Sequence, residues 1–271
     1  MPYATINGAE LYYEEQGAGP PVIFHHGYTS SHDCWEGVTP RLADRYRCIA
    51  MDGRGAGDSA SAPGPYTLQQ YADDICGMAD ALGIDRFRYV GLSMGGATGY
   101  ELGLRHAERL ESMVLVAPAP ADGIQNGDAG HAHAQDQRRR QAREEMLQER
   151  VLTGGRPNAD YLQRAVERAL NCSDGHFEDA WTSMVDLRAG ARLGEIKTPV
   201  LMVAGAADGL LQSNLADFAR LGNATLHVFS RVGHGVPYEV PSALSRVIAD
   251  FFEHGVVTAQ TLRQQMLAGS V

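Results

Sequence analysis

Residues 86–104 read RFRYVGLSMGGATGYELGL, and this stretch decides the fold. Phe87-Arg88-Tyr89-Val90 is a short run of aromatic and β-branched residues, which reads as a strand. Gly91-Leu92-Ser93-Met94-Gly95-Gly96 follows, and then a helix-length segment. The pattern is G-x-S-x-G with a strand before it and a helix after it, the setting in which it carries meaning. A serine at so tight a turn sits in strained backbone, and bulky neighbours would collide. Gly91 and Gly95 remove those side chains and let the turn close. Amides at the helix start then face any negative charge that develops beside Ser93. A glycine-rich turn with a surface serine is the plain alternative, and the flanking strand and helix weigh against it.

The rest of the chain repeats the same rhythm. Residues 3–16 read as a hairpin around Asn7-Gly8. Val22-Ile23-Phe24-His25 is a continuous apolar strand of the kind buried on both faces. Ser30 or Ser31 is expected to cap a helix carrying Trp35, Val38 and Leu42 on one side. Strands at Tyr46–Met51 and 110–117 bracket a helix led by Tyr66 or Thr67 and stopped by Gly83. Strands alternating with helices mean a parallel sheet covered on both faces.

The rhythm breaks after Pro118. Residues 123–133 read as a loop, and 134–152 as a charged helix broken by Gly154-Gly155-Arg156-Pro157. Ala159–Asn171 and 177–187 are amphipathic helices. Strand rhythm resumes at Pro199–Gly205 and 224–230, with helices at 211–221, 241–253 and 256–268. The expected organisation is a sheet domain over 1–118 and 199–271, with a helical cap inserted at 119–198.

Composition narrows the functions. A length of 271 residues suffices for one large α/β domain with an insertion. A net charge of −10 argues against a nucleic-acid partner. No apolar run approaches membrane-spanning length, and MPYATINGAELYY has no signal-peptide pattern, so a soluble cytoplasmic protein without a membrane partner is expected. Cys34, Cys48, Cys76 and Cys172 form no C-x-x-C pair and read as buried free thiols.

A serine hydroxyl at neutral pH needs a base, and the base needs an orienting acid. Chain order, strand ends and a shared sheet edge pick Asp208, after the PVLMVAG strand, and His234, after the TLHVFS strand. His227 falls inside a strand, His254 ends a helix, and His131, His133 and His176 fall in the helical block. Asp122 is the reserve acid. The amides of Met94 and Tyr28 are the expected oxyanion donors, with Gly27 allowing close approach.

These pieces together resemble the α/β-hydrolase fold superfamily, in its serine-nucleophile branch. The matching residues are His26-Gly27-Tyr28, Asp52-x-Arg54-Gly55-x-Gly57-x-Ser59, Gly91-x-Ser93-x-Gly95-Gly96, Asp208 and Gly233-His234. The resemblance covers the sheet portions and implies an eight-stranded, mostly parallel sheet. It implies Ser93 as nucleophile, His234 as base, Asp208 as its partner, and the Tyr28 and Met94 amides as oxyanion hole. Asp52, Arg54 and Asp58 are then scaffold. Haloalkane dehalogenase and epoxide hydrolase relatives carry aspartate at the elbow, so Ser93 argues against both. Carbon–carbon hydrolases tend to have asparagine where Leu92 stands. The elbow resembles enol-lactonases, small esterases and cofactor-free haloperoxidases.

The expected function is hydrolysis of a small carboxylic ester or lactone through an acyl-enzyme, with no metal or organic cofactor. A carbon–carbon hydrolase or perhydrolase on the same triad is the alternative, and a non-hydrolytic receptor or scaffold is a third reading. The expected pocket walls are His26, Gly27, Trp35, Phe177, Trp181 and Met184. For the Phe177/Trp181/Met184 stripe, core packing is an equal reading. Arg138-Arg139-Arg140 sits among acidic residues and reads as a solvated helix face. His131-x-His133 reads as a pair of loop histidines with no metal. Oligomeric state stays open, a homo-oligomer included.

Overall fold

The computed structural model describes residues 2–153 and 159–267. Eight strands form one sheet in the order β1-β2-β4-β3-β5-β6-β7-β8. They are β1 (Tyr3–Ile6), β2 (Ala9–Gln16), β3 (Pro21–His25), β4 (Arg47–Met51), β5 (Phe87–Leu92), β6 (Leu110–Val116), β7 (Val200–Gly205) and β8 (Ala224–Phe229). The hairpin β1–β2 and the β2–β4 pair are antiparallel, and every pair from β4 to β8 is parallel. Asn7 and Gly8 both adopt positive φ, 48° and 77°, as a two-residue hairpin turn of this hand requires.

Alternation along the central strands fills two cores. Ile23, Tyr89, Met113 and Leu115 point to one face, where they pack with Tyr71 and Ile75. Val22, Phe24, Val90, Val114 and Val116 point to the other, against Trp35, Leu244 and Ile248. Both faces are therefore apolar, which is why these strands read as unbroken hydrophobic runs.

The flanking helices are α1 (Thr39–Leu42), α2 (Leu68–Ala81), α3 (Met94–Arg105), α8 (Leu211–Phe218), α9 (Val236–Glu239), α10 (Pro241–His254) and α11 (Ala259–Leu267). Thr67 caps α2, its side chain accepting from the Gln70 amide. The helix expected after Ser30 or Ser31 is interrupted instead. A 3-10 turn, His32–Trp35, precedes the single-turn α1, and Ser31 spends its hydroxyl on Asp33. Trp35, Val38 and Leu42 are buried all the same.

Among the described residues between β6 and β7 there are helices and no strand: α4 (Asp128–Arg140), α5 (Arg143–Thr153), α6 (Ala159–Asn171), a π-turn (His176–Ala180) running into α7 (Trp181–Val185), and a 3-10 turn (Gly190–Glu195). Two expectations are corrected here. The loop read over 123–133 gives way to helix from Asp128, and the single charged helix over 134–152 is two, parted where Gln141 takes φ 53°. The Gly154–Pro157 breaker lies outside the described residues. The α5–α6 pair closes on its own small core of Met146, Val166, Ala169 and Leu170.

The D-x-R-G-x-G-x-S loop after β4 is scaffold by its contacts. Asp52 is fully buried and accepts from the His32 and Asp58 amides and from His32 Nδ1. Arg54 makes a two-point contact with Asp74, at 2.5 and 2.7 Å, with both side chains 1% exposed. These bonds fix the loop under the carboxyl edge of the sheet.

Candidate active site

β5 ends at Leu92 and α3 begins at Met94, so Ser93 alone makes the turn. Its backbone takes φ 54° and ψ −109°, a sparsely populated conformation for a non-glycine residue. Such strain costs about 1–3 kcal/mol and persists only where surroundings enforce it. Here they do. The Ser93 amide donates to Val116 O at 2.9 Å, and Ser93 O accepts from Ala97 and Ala119. A Cβ at Gly91 would lie 2.3 Å from Gly95 O, and one at Gly95 would lie 2.6 Å from His25 O. The turn closes only with glycine at both places.

His234 follows β8, and its Nδ1 lies 2.8 Å from Asp208 Oδ2, just past β7. Asp208 also accepts from the Leu210 amide at 3.0 Å. Burial alone would push the Asp208 carboxyl up; the His234 hydrogen bond and charge and the Leu210 amide outweigh it, and the carboxyl ends below its usual range. It is therefore ionised at neutral pH and accepts the Nδ1 hydrogen, leaving Nε2 as the basic nitrogen. Asp122, the reserve acid, pairs with Arg220 and not with His234.

Ser93 and His234 face one cavity of about 260 Å³, walled by Gly27, Tyr28, Thr29, Ser30, Leu92, Arg150, Tyr161, Ala165 and Tyr238. A Cβ at Gly27 would come within 3.3 Å of Ser93 Cβ, so the loop after β3 passes right against the serine. The Met94 amide is the first of α3 and has no acceptor within the helix. The Met94 amide and the Gly27–Tyr28 loop thus approach Ser93 from two elements.

The other expected pocket residues do not line this cavity, although Phe177 lines an adjoining one that shares Tyr28, Thr29 and Arg150. Trp35 is fully buried in the core, its ring 5.4 Å from Phe24. His26 is fully buried too; its Nε2 accepts from the Gly53 amide at 2.9 Å, which ties β3 to the β4 loop. Met184 belongs to the sheet core. Phe177 and Trp181 lie one layer behind the cavity. Their rings are 5.6 and 5.8 Å from that of Tyr28, and His131 stacks on both at 4.7 and 4.8 Å. His131 is thus a helical packing residue, while His133 bonds Glu149 at 2.8 Å. Arg138 is buried as well, donating to Ala169 O and Cys172 O, so only part of the arginine run forms a solvated face.

Two residues with no sequence signal hold this geometry. His176 is fully buried; its Nε2 accepts from the Thr29 amide at 3.4 Å, and its Nδ1 lies 2.7 Å from the Tyr71 hydroxyl. Burial, with help from His26, pushes its pKa down to about 3, so it is neutral and can accept. It ties the inserted block to the Tyr28–Thr29 turn. Glu239 brackets His234, accepting from the Gly233 and Gly235 amides at 3.1 Å each. Glu239→Ala frees that loop and is expected to lower kcat by roughly 10²-fold, the usual effect of a misplaced base. Glu239→Gln keeps one acceptor and should recover part of the loss. Equal kcat in wild type and Glu239→Ala would remove its positioning role.

Comparison with known proteins decides the family. Residues 20–241 match the family model described as alpha/beta hydrolase fold. The chain belongs to the alpha/beta hydrolase family. A 2-hydroxy-6-oxo-6-phenylhexa-2,4-dienoate hydrolase of Comamonas testosteroni is 31% identical over 263 residues, 89% of this chain and 90% of that one. A protein of Azorhizobium caulinodans named for carbamate hydrolysis is 36% identical over 125 residues, and the match spans 46% of this chain and 47% of that protein. Among solved structures, the enol-lactonase from Burkholderia xenovorans LB400 has a TM-score of 0.78 at 24% identity, covering 93% of this chain and all of that one, a likeness of fold. This alpha/beta hydrolase thus has hydrolases among its relatives, with the eight-stranded sheet expected from the sequence. Among its described residues no helix is long and apolar enough to cross a membrane.

Proposed function

We propose that this alpha/beta hydrolase cleaves a small carboxylic ester or lactone through an acyl-enzyme on Ser93. One observation carries the reading: a serine held at φ 54° shares a cavity with a histidine whose Nδ1 is 2.8 Å from an ionised aspartate. In this reading Ser93 Oγ attacks the carbonyl carbon while His234 Nε2 takes its proton. The tetrahedral oxyanion accepts from the Met94 and Tyr28 amides, each such donor lowering the barrier by roughly 3–4 kcal/mol. Collapse breaks the bond to the alcohol, which leaves with the proton from Nε2. In a lactone that alcohol stays tethered to the acyl group. Water, deprotonated by the same nitrogen, then attacks the acyl carbon, and collapse breaks its bond to Ser93 Oγ, which takes the proton back from Nε2 as the acid leaves. Asp208 holds the imidazole in the working tautomer throughout.

The cavity of about 260 Å³ lies just below the usual range for ligand pockets, which favours small substrates. In this proposal the inserted helical block acts as the cap, since α5 and α6 supply Arg150, Tyr161 and Ala165 to the wall. Acyl length is then read by Tyr161 and not by the Trp181 stripe. Tyr161→Ala should shift the short-to-long acyl ratio of kcat/KM by about 1–3 kcal/mol. Trp181→Ala should lower stability and scale all acyl lengths alike. The opposite pattern would return the selecting wall to α7. Cleavage of a carbon–carbon bond is the second reading, favoured by the Comamonas relative that spans most of the chain. A panel of aryl esters, lactones and 2-hydroxy-6-oxodienoates, scored by kcat/KM, separates the two. No turnover of any ester or lactone would refute the first.

A further inference from the structure

Among the described residues, the wall of the Ser93 cavity carries one permanently charged side chain, Arg150, near the end of α5. Five arginines of the inserted block are neutralised, while Arg139 is exposed to solvent. Arg138 pairs with Asp174, Arg140 with Asp136 and Glu145, Arg143 with Glu167, Arg164 with Asp33 and Glu36, and Arg168 with Asp58. Arg150 is half-buried and makes no ion pair with a carboxylate among the described residues. A partly desolvated guanidinium on a cavity wall is favoured when an anion meets it there.

We propose that Arg150 binds a carboxylate on the substrate, so that the preferred ester or lactone is an anionic one. The inference rests on the esterase reading of Ser93 and adds the substrate's charge. Two phenols support it. The rings of Tyr161 and Tyr238 lie 4.6 Å apart on the same wall. Burial keeps both protonated, Tyr161 well above its ordinary value and Tyr238 up to about 12, against the nearby pull of Arg150. Neutral hydroxyls beside a guanidinium suit a monoanion. The guanidinium fork matches a carboxylate in two-point contact. A phosphate dianion would call for a second permanent cation, and the described residues of the wall hold none. The adjoining cavity, which shares Tyr28, Thr29 and Arg150, adds Arg138 and Glu149. Arg138 is already spent on Asp174 and two carbonyls, and Glu149 is bonded to His133.

The test compares two p-nitrophenyl esters of equal length, mono-p-nitrophenyl glutarate and its methyl ester. In wild type the acid should be favoured in kcat/KM by at least about tenfold, mostly through KM. In Arg150→Gln that preference should fall by roughly 10–100-fold, and Arg150→Lys should keep part of it. Circular dichroism confirms that both variants fold. A wild-type ratio near one, or a ratio untouched in Arg150→Gln, overturns the proposal while leaving ester hydrolysis standing. If neither ester turns over, the ester and lactone panel decides the esterase reading, and calorimetric titration with glutarate decides the anion site alone. Binding to wild type that is lost in Arg150→Gln supports it; no binding, or tighter binding of inorganic phosphate than of glutarate, overturns it.

Discussion

Ser93→Ala is expected to lower kcat for a good ester substrate by roughly 10⁴–10⁶-fold and to leave the fold intact. The size follows from the proposed mechanism, in which the triad acts as a unit: without the hydroxyl, His234 would have no proton to take and no acyl-enzyme would form. The intact fold follows from the turn. Alanine keeps the Cβ already accommodated at φ 54°, and the bonds to Val116, Ala97 and Ala119 are made by backbone. Residual catalysis should remain, because the Met94 and Tyr28 amides still polarise a bound carbonyl for attack by water. The assay is steady-state hydrolysis beside a thermal melt. Near-native kcat in the alanine variant, with an unchanged melt, would remove Ser93 from the chemistry.

Asp208→Asn carries the second largest expected effect, a loss of about 10⁴-fold in kcat. Asp208 uses one carboxylate oxygen for the Leu210 amide and the other for His234 Nδ1. An asparagine offers a single acceptor oxygen, so one of those bonds meets an NH₂ group. If that group faces Nδ1, the ring is driven to the tautomer with hydrogen on Nε2, which cannot accept the Ser93 proton. Asp122→Asn should change kcat by no more than a few-fold, since that carboxylate is paired with Arg220 at the surface. The pair of variants is decisive together: greater damage from Asp122→Asn would reverse the assignment of the acid.

The parts of this molecule legible in its sequence are those where local physics leaves few choices. Strands buried on both faces appear as unbroken apolar runs, and the turn at Ser93 announces itself through glycines that no larger residue can replace. Asp208 and His234 could be found because strand ends in a parallel sheet share one edge. The inserted block was harder to read. Gly127 and Asp128 are weak helix-start signals, and Gly130 in the first turn argues against them. The break at Gln141 uses a left-handed residue that is neither glycine nor asparagine, so no composition cue marks it. Phe177, Trp181 and Met184 were recognisable as one helical stripe, yet spacing does not say what a stripe packs against. The cavity wall came instead from Arg150, Tyr161 and Ala165, three ordinary-looking positions brought over Ser93 only by tertiary packing. His176 and Glu239 were illegible for the same reason, since each acts on a backbone amide far along the chain or within its own turn.

Active-site labelling tests the role of Ser93 most directly. The folded protein is treated with a fluorophosphonate probe, digested, and mapped by mass spectrometry, with ester hydrolysis followed in parallel. One stoichiometric adduct on Ser93 is expected, formed as fast as activity is lost and absent in Ser93→Ala. An adduct on another residue that tracks the loss of activity, or full ester turnover with Ser93 unlabelled, would contradict it.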